Sequence, residues 1–133
     1  MIAQGSDVKI NVTVTQSYKA ASGRKITTPV DLSSFQGYLV FLYSKATNTV
    51  IERYSLNAVT GYEPINVISA SNGQFQLFLD KDVTTSAPIG QMYGELKTSL
   101  SDSDFSLNSY VTVAKFNVDE IVESVTNGVN PAL

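Results

Sequence analysis

The chain has 133 residues, 43% of them apolar and 16% charged, which is enough for one compact domain that buries roughly two-thirds of its unfolded surface. It contains neither cysteine nor histidine, which excludes disulfides, thiolate nucleophiles, sulfur-based zinc sites and the commonest general base and transition-metal ligand. Nine basic against twelve acidic side chains leave a net charge of −3, and no basic cluster exceeds Arg24-Lys25, so no nucleic-acid partner is expected.

Residues 1–6 have neither the basic nor the apolar region of a secretory signal, and nothing approaches the roughly 18 consecutive apolar residues of a membrane span. A soluble protein with no membrane association is the expectation. Val8, Ile10, Val12 and Val14 alternate with Lys9, Asn11, Thr13 and Thr15, which predicts a strand with one buried and one wet face. Ser22-Gly23 and Pro29 then break the pattern, so residues 18–32 read as a connection with at most a short edge piece. The near-continuous apolar run 38–44 predicts a central strand. Asn48 is the turn residue of a hairpin into 49–56, where Val50, Tyr54 and Leu56 share a face with Glu52.

Asn72-Gly73 is the strongest local signal. It separates two β-patterned runs, 65–70 and 74–79, and favours the positive φ angles of a tight hairpin turn. Residues 82–88 read as a loop, Gly90 opens a further strand, and the Ser/Asp-rich stretch 101–104 separates it from a last strand over 110–118. Asp119 is placed to cap a short helix with Ile121, Val122 and Val125 on one side, before a tail that ends at Leu133. The apolar side of that segment packs either on its own domain or on a partner. The sum is an all-β, antiparallel β-sandwich of about seven strands over residues 1–118, followed by a short helical or extended segment over 119–133.

Charge is uneven along the chain: six basic residues face three acidic ones up to Thr60, and three face nine from Gly61 onward. Such asymmetry favours head-to-tail contacts between copies, although a sandwich interleaves both halves in space and scattered solvated charge is the preferred reading. Asp80-Lys81-Asp82 and Asp102-Ser103-Asp104 have D-x-D spacing but lack the glycine and distal glutamate of a calcium loop. The seven tyrosines, Tyr18, Tyr38, Tyr43, Tyr54, Tyr62, Tyr93 and Tyr110, could form a sugar platform, yet Tyr is also an ordinary strand and core residue. Asn11-Val12-Thr13 fits a glycosylation acceptor inside a predicted strand. No cofactor, metal or catalytic constellation is singled out, and an interaction protein rather than an enzyme is expected.

The pieces DVKINVTVT, PVDLSSFQGYLVFLYS, NGQFQLFLD, IGQMYGELKTSL and YVTVAKFNV, in this order, resemble the immunoglobulin-like module of phage baseplate upper proteins and related tail and head-fibre proteins. Gly90 with Tyr93, and Phe116 with Val118, fill the late-strand positions of that pattern. The resemblance implies an immunoglobulin-like fold and a structural protein of the virion, assembled in the bacterial cytoplasm. Its partners would be major capsid, head-fibre or tail proteins, with the chain itself present as a homo-oligomer or in many copies. Baseplate proteins of this kind continue into a stalk or receptor-binding region, whereas here only residues 119–133 follow the last strand. That shifts the expectation to a capsid decoration, auxiliary or head-fibre protein, with a baseplate or tail component or a carbohydrate- or receptor-binding module as the alternative. Contact regions expected from exposure are the connection with Tyr18, Arg24 and Lys25, the loop with Val83 and Pro88, and the tail with Ile121, Val122 and Val125.

Overall fold

The computed structural model describes residues 1–99 and 110–124. Strands make up most of the described residues and helical turns only a small part, so it belongs to the all-β class. The alternation at the start forms β2 (Val8–Thr13), which pairs antiparallel with β9 (Gln74–Leu79). Ile10 faces Leu77 and Val12 faces Phe75, and all four side chains are buried. β8 (Asn66–Ser69) lies on the far side of β9, so this sheet has the order β2-β9-β8.

Val14 ends that pairing and starts another. Its amide donates to the Gly73 carbonyl at 2.9 Å, while its own carbonyl accepts from the Val30 amide at 2.9 Å. The chain thereby leaves β9 and continues as β3 (Thr15–Lys19) against β4 (Lys25–Pro29) in a separate two-stranded sheet. The stretch read as a connection is therefore a hairpin. Gly23 at φ +82 lies in its turn, and Pro29, which has no N–H to donate, sits at the end of the ladder opposite Thr15.

The larger sheet is built on β5 (Tyr38–Ser44), flanked by β6 (Val50–Ser55) and by β10 (Gly90–Ser99). Asn48 at φ 58 lies in the turn between β5 and β6. Beyond β10 lies β11 (Tyr110–Val122), and the two-residue strands β1 (Ile2–Ala3) and β7 (Glu63–Pro64) run parallel to β11 and β6 at the edges. The order is β1-β11-β10-β5-β6-β7. Val40, Leu42, Met92, Leu96 and Ile121 from this sheet join Ile10, Val12, Phe75, Leu77 and Leu79 from the other in one hydrophobic core. Eleven strands stand among the described residues where about seven were expected, the additions being the edge pieces and the β3–β4 hairpin.

Three local expectations need correction. Asn72-Gly73 does close the β8–β9 hairpin, but through a 3-10 turn over Ala70–Asn72 that ends on Gly73 at φ 66. The span read as a loop after β9 contains a helix, α1 (Lys81–Ser86). The Asp80 side chain accepts from the Asp82 amide at 3.4 Å and Asp7 accepts from the Lys81 amide at 2.8 Å, so two carboxylates cap the amides of its first turn. Buried Thr84 ties α1 to the start of the chain, donating to the Ser6 carbonyl at 2.8 Å and accepting from the Gly5 amide at 3.1 Å.

The third correction concerns the helix expected after Asp119. β11 continues to Val122, across the boundary drawn at 118/119. Its pairing with β10 steps from Tyr93↔Asn117 to Met92↔Asp119, so Val118 is an extra residue in a bulge. The bulge shifts the phase of the alternation, and Ile121 then points into the core beside Gly90 and Ile2. A period of two interrupted by one residue imitates a helical spacing.

Two substitutions test this packing with opposite signs. A Cβ on Gly73 would lie 2.6 Å from the Val14 carbonyl oxygen and 2.8 Å from that of Val30, both backbone atoms at the sheet switch. With the positive φ added, Gly73→Ala should cost about 2 kcal/mol or more in denaturant unfolding. The Thr98 hydroxyl is fully buried and has no hydrogen-bond partner among the described residues. Thr98→Val keeps the shape and removes the unsatisfied group, so it should raise the unfolding free energy by about 1 kcal/mol in the same experiment.

Candidate functional site

β5 alternates Tyr38, Val40, Leu42 and Ser44 inward with Leu39, Phe41 and Tyr43 outward, and β10 sends Tyr93, Glu95 and Lys97 to the same outer face. Strand register then sets rows across the sheet. One row runs Val50, Tyr43, Tyr93, Asn117, and the next runs Arg53, Phe41, Glu95, Lys115. The Tyr43 and Tyr93 rings stack with centroids 6.0 Å apart and planes 24° apart. Phe41 meets Tyr62 edge to face at 6.1 Å and 77°. These outward aromatics are half-buried, because long cationic side chains lie across them: the Lys45 ammonium is 5.9 Å from the Tyr93 ring centroid and the Lys97 ammonium 5.7 Å from that of Phe41.

The same face concentrates positive charge. Lys45, Lys97 and Lys115 surround one acid, Glu95, whose carboxylate accepts from the Thr112 hydroxyl. Among the described residues none of these three ammonium groups has an ion-pair partner, and the ion pair present joins the N-terminal ammonium to Asp119. In a chain of net charge −3, this is a locally basic aromatic surface.

Acid collects elsewhere. A cleft of about 500 Å³ opens where β6 and β7 approach β9, lined by Asp7, Glu52, Glu63 and Asp80 with Lys9, Phe78 and Val83. Glu52 pairs with inward-facing Leu42, so its carboxylate stands on the inner side of the sheet at its margin. Lys9 lies 5.8 Å from the ring of Phe78, which is 44% exposed. Next to Glu52 and Glu63, fully buried Tyr54 donates its hydroxyl to the Phe78 carbonyl at 2.9 Å. Burial, and then the nearby carboxylates of Glu52 and Glu63, push the Tyr54 phenol far above its ordinary value.

The residues expected to make contacts fall in different places. Tyr18, Arg24 and Lys25 share the β3–β4 hairpin, with Arg24 and Lys25 exposed. Val83 and Pro88 are half-buried at and just after α1, which sits at the opposite end of β2 from that hairpin. Ile121 is not a contact residue, because it is fully buried between β1 and β10. Val122 is half-buried beside Ala3, and Val125 lies outside the described residues, as does the 102–104 acidic stretch. Of the tyrosines, Tyr38 and Tyr54 are core, whereas Tyr43, Tyr62 and Tyr93 face outward. Asn11 is held in a cross-strand amide ladder: Gln76 donates to it at 2.8 Å, and Asn66 donates to Gln76 at 3.2 Å.

Among the described residues no three acidic side chains group to hold a metal ion, and no helix is long and apolar enough to cross a membrane. The residues missed by sequence reading are Phe41, Lys45, Lys97 and Lys115. The available signal was the outward half of the run 38–44, whose Phe and Tyr are too apolar for a fully wet face.

Because the folded state holds Tyr54 protonated, its contribution is complete below the ordinary phenol value near 10 and is lost as pH rises past it. Unfolding free energy should therefore fall steeply above about pH 10. Tyr54→Phe should cost about 1 kcal/mol at neutral pH, through loss of the bond to Phe78, and should flatten the alkaline fall. Buried Tyr38, whose phenol is also raised, leaves a residual slope.

Comparisons with protein families, with curated proteins and with solved structures found no match to this chain.

Proposed function

We propose that this chain is a structural protein of a bacteriophage particle, an immunoglobulin-like β-sandwich that works through protein–protein contacts on the particle surface as a capsid decoration or head-fibre protein. The observation that carries the contact role is the outer face of the large sheet, where half-buried aromatics stand with three ammonium groups that have no ion-pair partner among the described residues. Strand order supports the fold. β2-β9-β8 has the order of immunoglobulin strands B-E-D, and β6-β5-β10-β11 has the order C′-C-F-G, with the β3–β4 hairpin inserted after the first strand of the smaller sheet. The virion setting rests on the resemblance of the strand pieces to phage modules.

β8 adds a second contact element, since it is a sheet edge with Val67 and Ile68 exposed at 39% and 57%. A neighbouring virion protein could add a strand there. One observation favours a different reading, a binder of acidic sugars: tyrosine rings and ammonium groups together suit a carboxylate-bearing saccharide.

Quantitative mass spectrometry of density-purified particles of the source phage separates these. A copy number in proportion to the major capsid protein is the expected result, a few copies per particle would move the chain to the tail or a vertex, and absence would overturn the virion reading. A glycan screen that raises the melting temperature would move the sugar reading to first place.

A further inference from the structure

Opposite charge lies on two separate surfaces of this molecule. The outer face of β5 and β10 presents Lys45, Lys97 and Lys115 against one occupied carboxylate. The cleft at the β6–β9 seam presents Asp7, Glu52, Glu63 and Asp80 against Lys9, whose ammonium lies over Phe78. The two surfaces cannot satisfy each other within one copy: Glu52 points to the inner side of the sheet whose outer side carries Lys97 and Lys115. Nor do they follow the two halves of the sequence, because Lys45 comes from the first half and the other two lysines from the second.

We infer that the partner of the basic aromatic face is the acidic cleft of a second copy of this chain. The inference deepens the proposed contact role and rests on it. Lysine ammonium groups on four-carbon stems reach from the face into the cleft, where Glu52 and Glu63 receive them and the exposed Phe78 and Val50 supply apolar contact. Charge complementarity sets the register and orientation of this contact, and the apolar residues at each centre supply the surface that leaves water. Each copy uses the face once and the cleft once, so the contact is head-to-tail and generates a ring or a filament.

The test uses purified full-length protein in analytical ultracentrifugation. The wild-type chain should self-associate at low salt and dissociate toward monomer near 1 M salt, where the screening length falls to about 3 Å. Reversing the face with Lys97→Glu and Lys115→Glu, or the cleft with Glu52→Lys and Glu63→Lys, should weaken association by about tenfold or more. An equimolar mixture of the two reversed proteins should associate again, since each then offers the charge the other lacks. Should a reversed protein fail to fold, zero-length carbodiimide cross-linking of mixed light and heavy wild-type chains gives the same answer: inter-copy links from Lys97 or Lys115 to Glu52 or Glu63 are expected.

A wild-type chain that stays monomeric, association that ignores both reversals, or cross-links confined to other surfaces would overturn the inference. Binding of an acidic glycan at the face of a monomer would also overturn it. These outcomes are separate from particle content: a monomer found in purified particles leaves the virion reading standing, and a head-to-tail oligomer absent from particles removes that reading alone.

Discussion

Tyr54 reaches from the larger sheet to the smaller one. Its ring is fully buried, and its hydroxyl donates to the backbone of β9 at Phe78, so one side chain fills the core and satisfies a carbonyl across the gap. Nearby, the chain itself passes between the sheets, from β7 through buried Ile65 into β8. This seam fixes how closely β6 approaches β9. It therefore determines the acidic cleft as well, since Glu52 and Glu63 are the neighbours of Tyr54 along β6 and across to β7. The carboxylates stay near water at the rim while the phenol is kept neutral beneath them.

The outer face depends on the same framework by another route. Tyr43 and Tyr93 are fifty positions apart in sequence, and only the pairing of β5 with β10 puts them side by side. That pairing is fixed by the inner residues, because a slip of one position would send Val40, Leu42 and Leu96 to solvent. Gly94 contributes to it: the Phe116 ring of β11 lies where a Cβ would stand, which seats β11 closely on β10. A well-determined core thus dictates a surface whose residues have no strong local preference of their own.

This explains what could be read from the sequence. β2 and β9 announce themselves by alternating apolar side chains, β5 by its near-continuous apolar run, and β10 by the Gly90 that opens it. The β3–β4 hairpin does not, since Thr15–Lys19 and Lys25–Pro29 carry too few apolar residues to show a buried face. α1 is built from Lys-Asp-Val-Thr-Thr-Ser, in which every residue after the lysine is a weak helix former, and it is held by the Asp80 cap and by Thr84, which only the fold brings to Ser6. The end of β11 was hidden by its bulge at Val118. Of the candidate surface, Tyr43 and Tyr93 were visible as residue types, but their conjunction with Lys45, Lys97 and Lys115 is a product of register and has no local trace.

The parallel pairing of β1 with β11 also bears on how the molecule comes into being. Ile2 lies beside Ile121, Ala3 beside Val122, and the Gln4 amide donates to the Val122 carbonyl at 2.9 Å. β1 is thus the partner of a strand far along the chain, and its place in the sheet exists only once β11 has paired with β10. Pairings this distant in sequence form late and slowly. The edge of the larger sheet therefore closes last, and until it does the folding chain exposes the Ile2 side chain and an unfilled edge of β10.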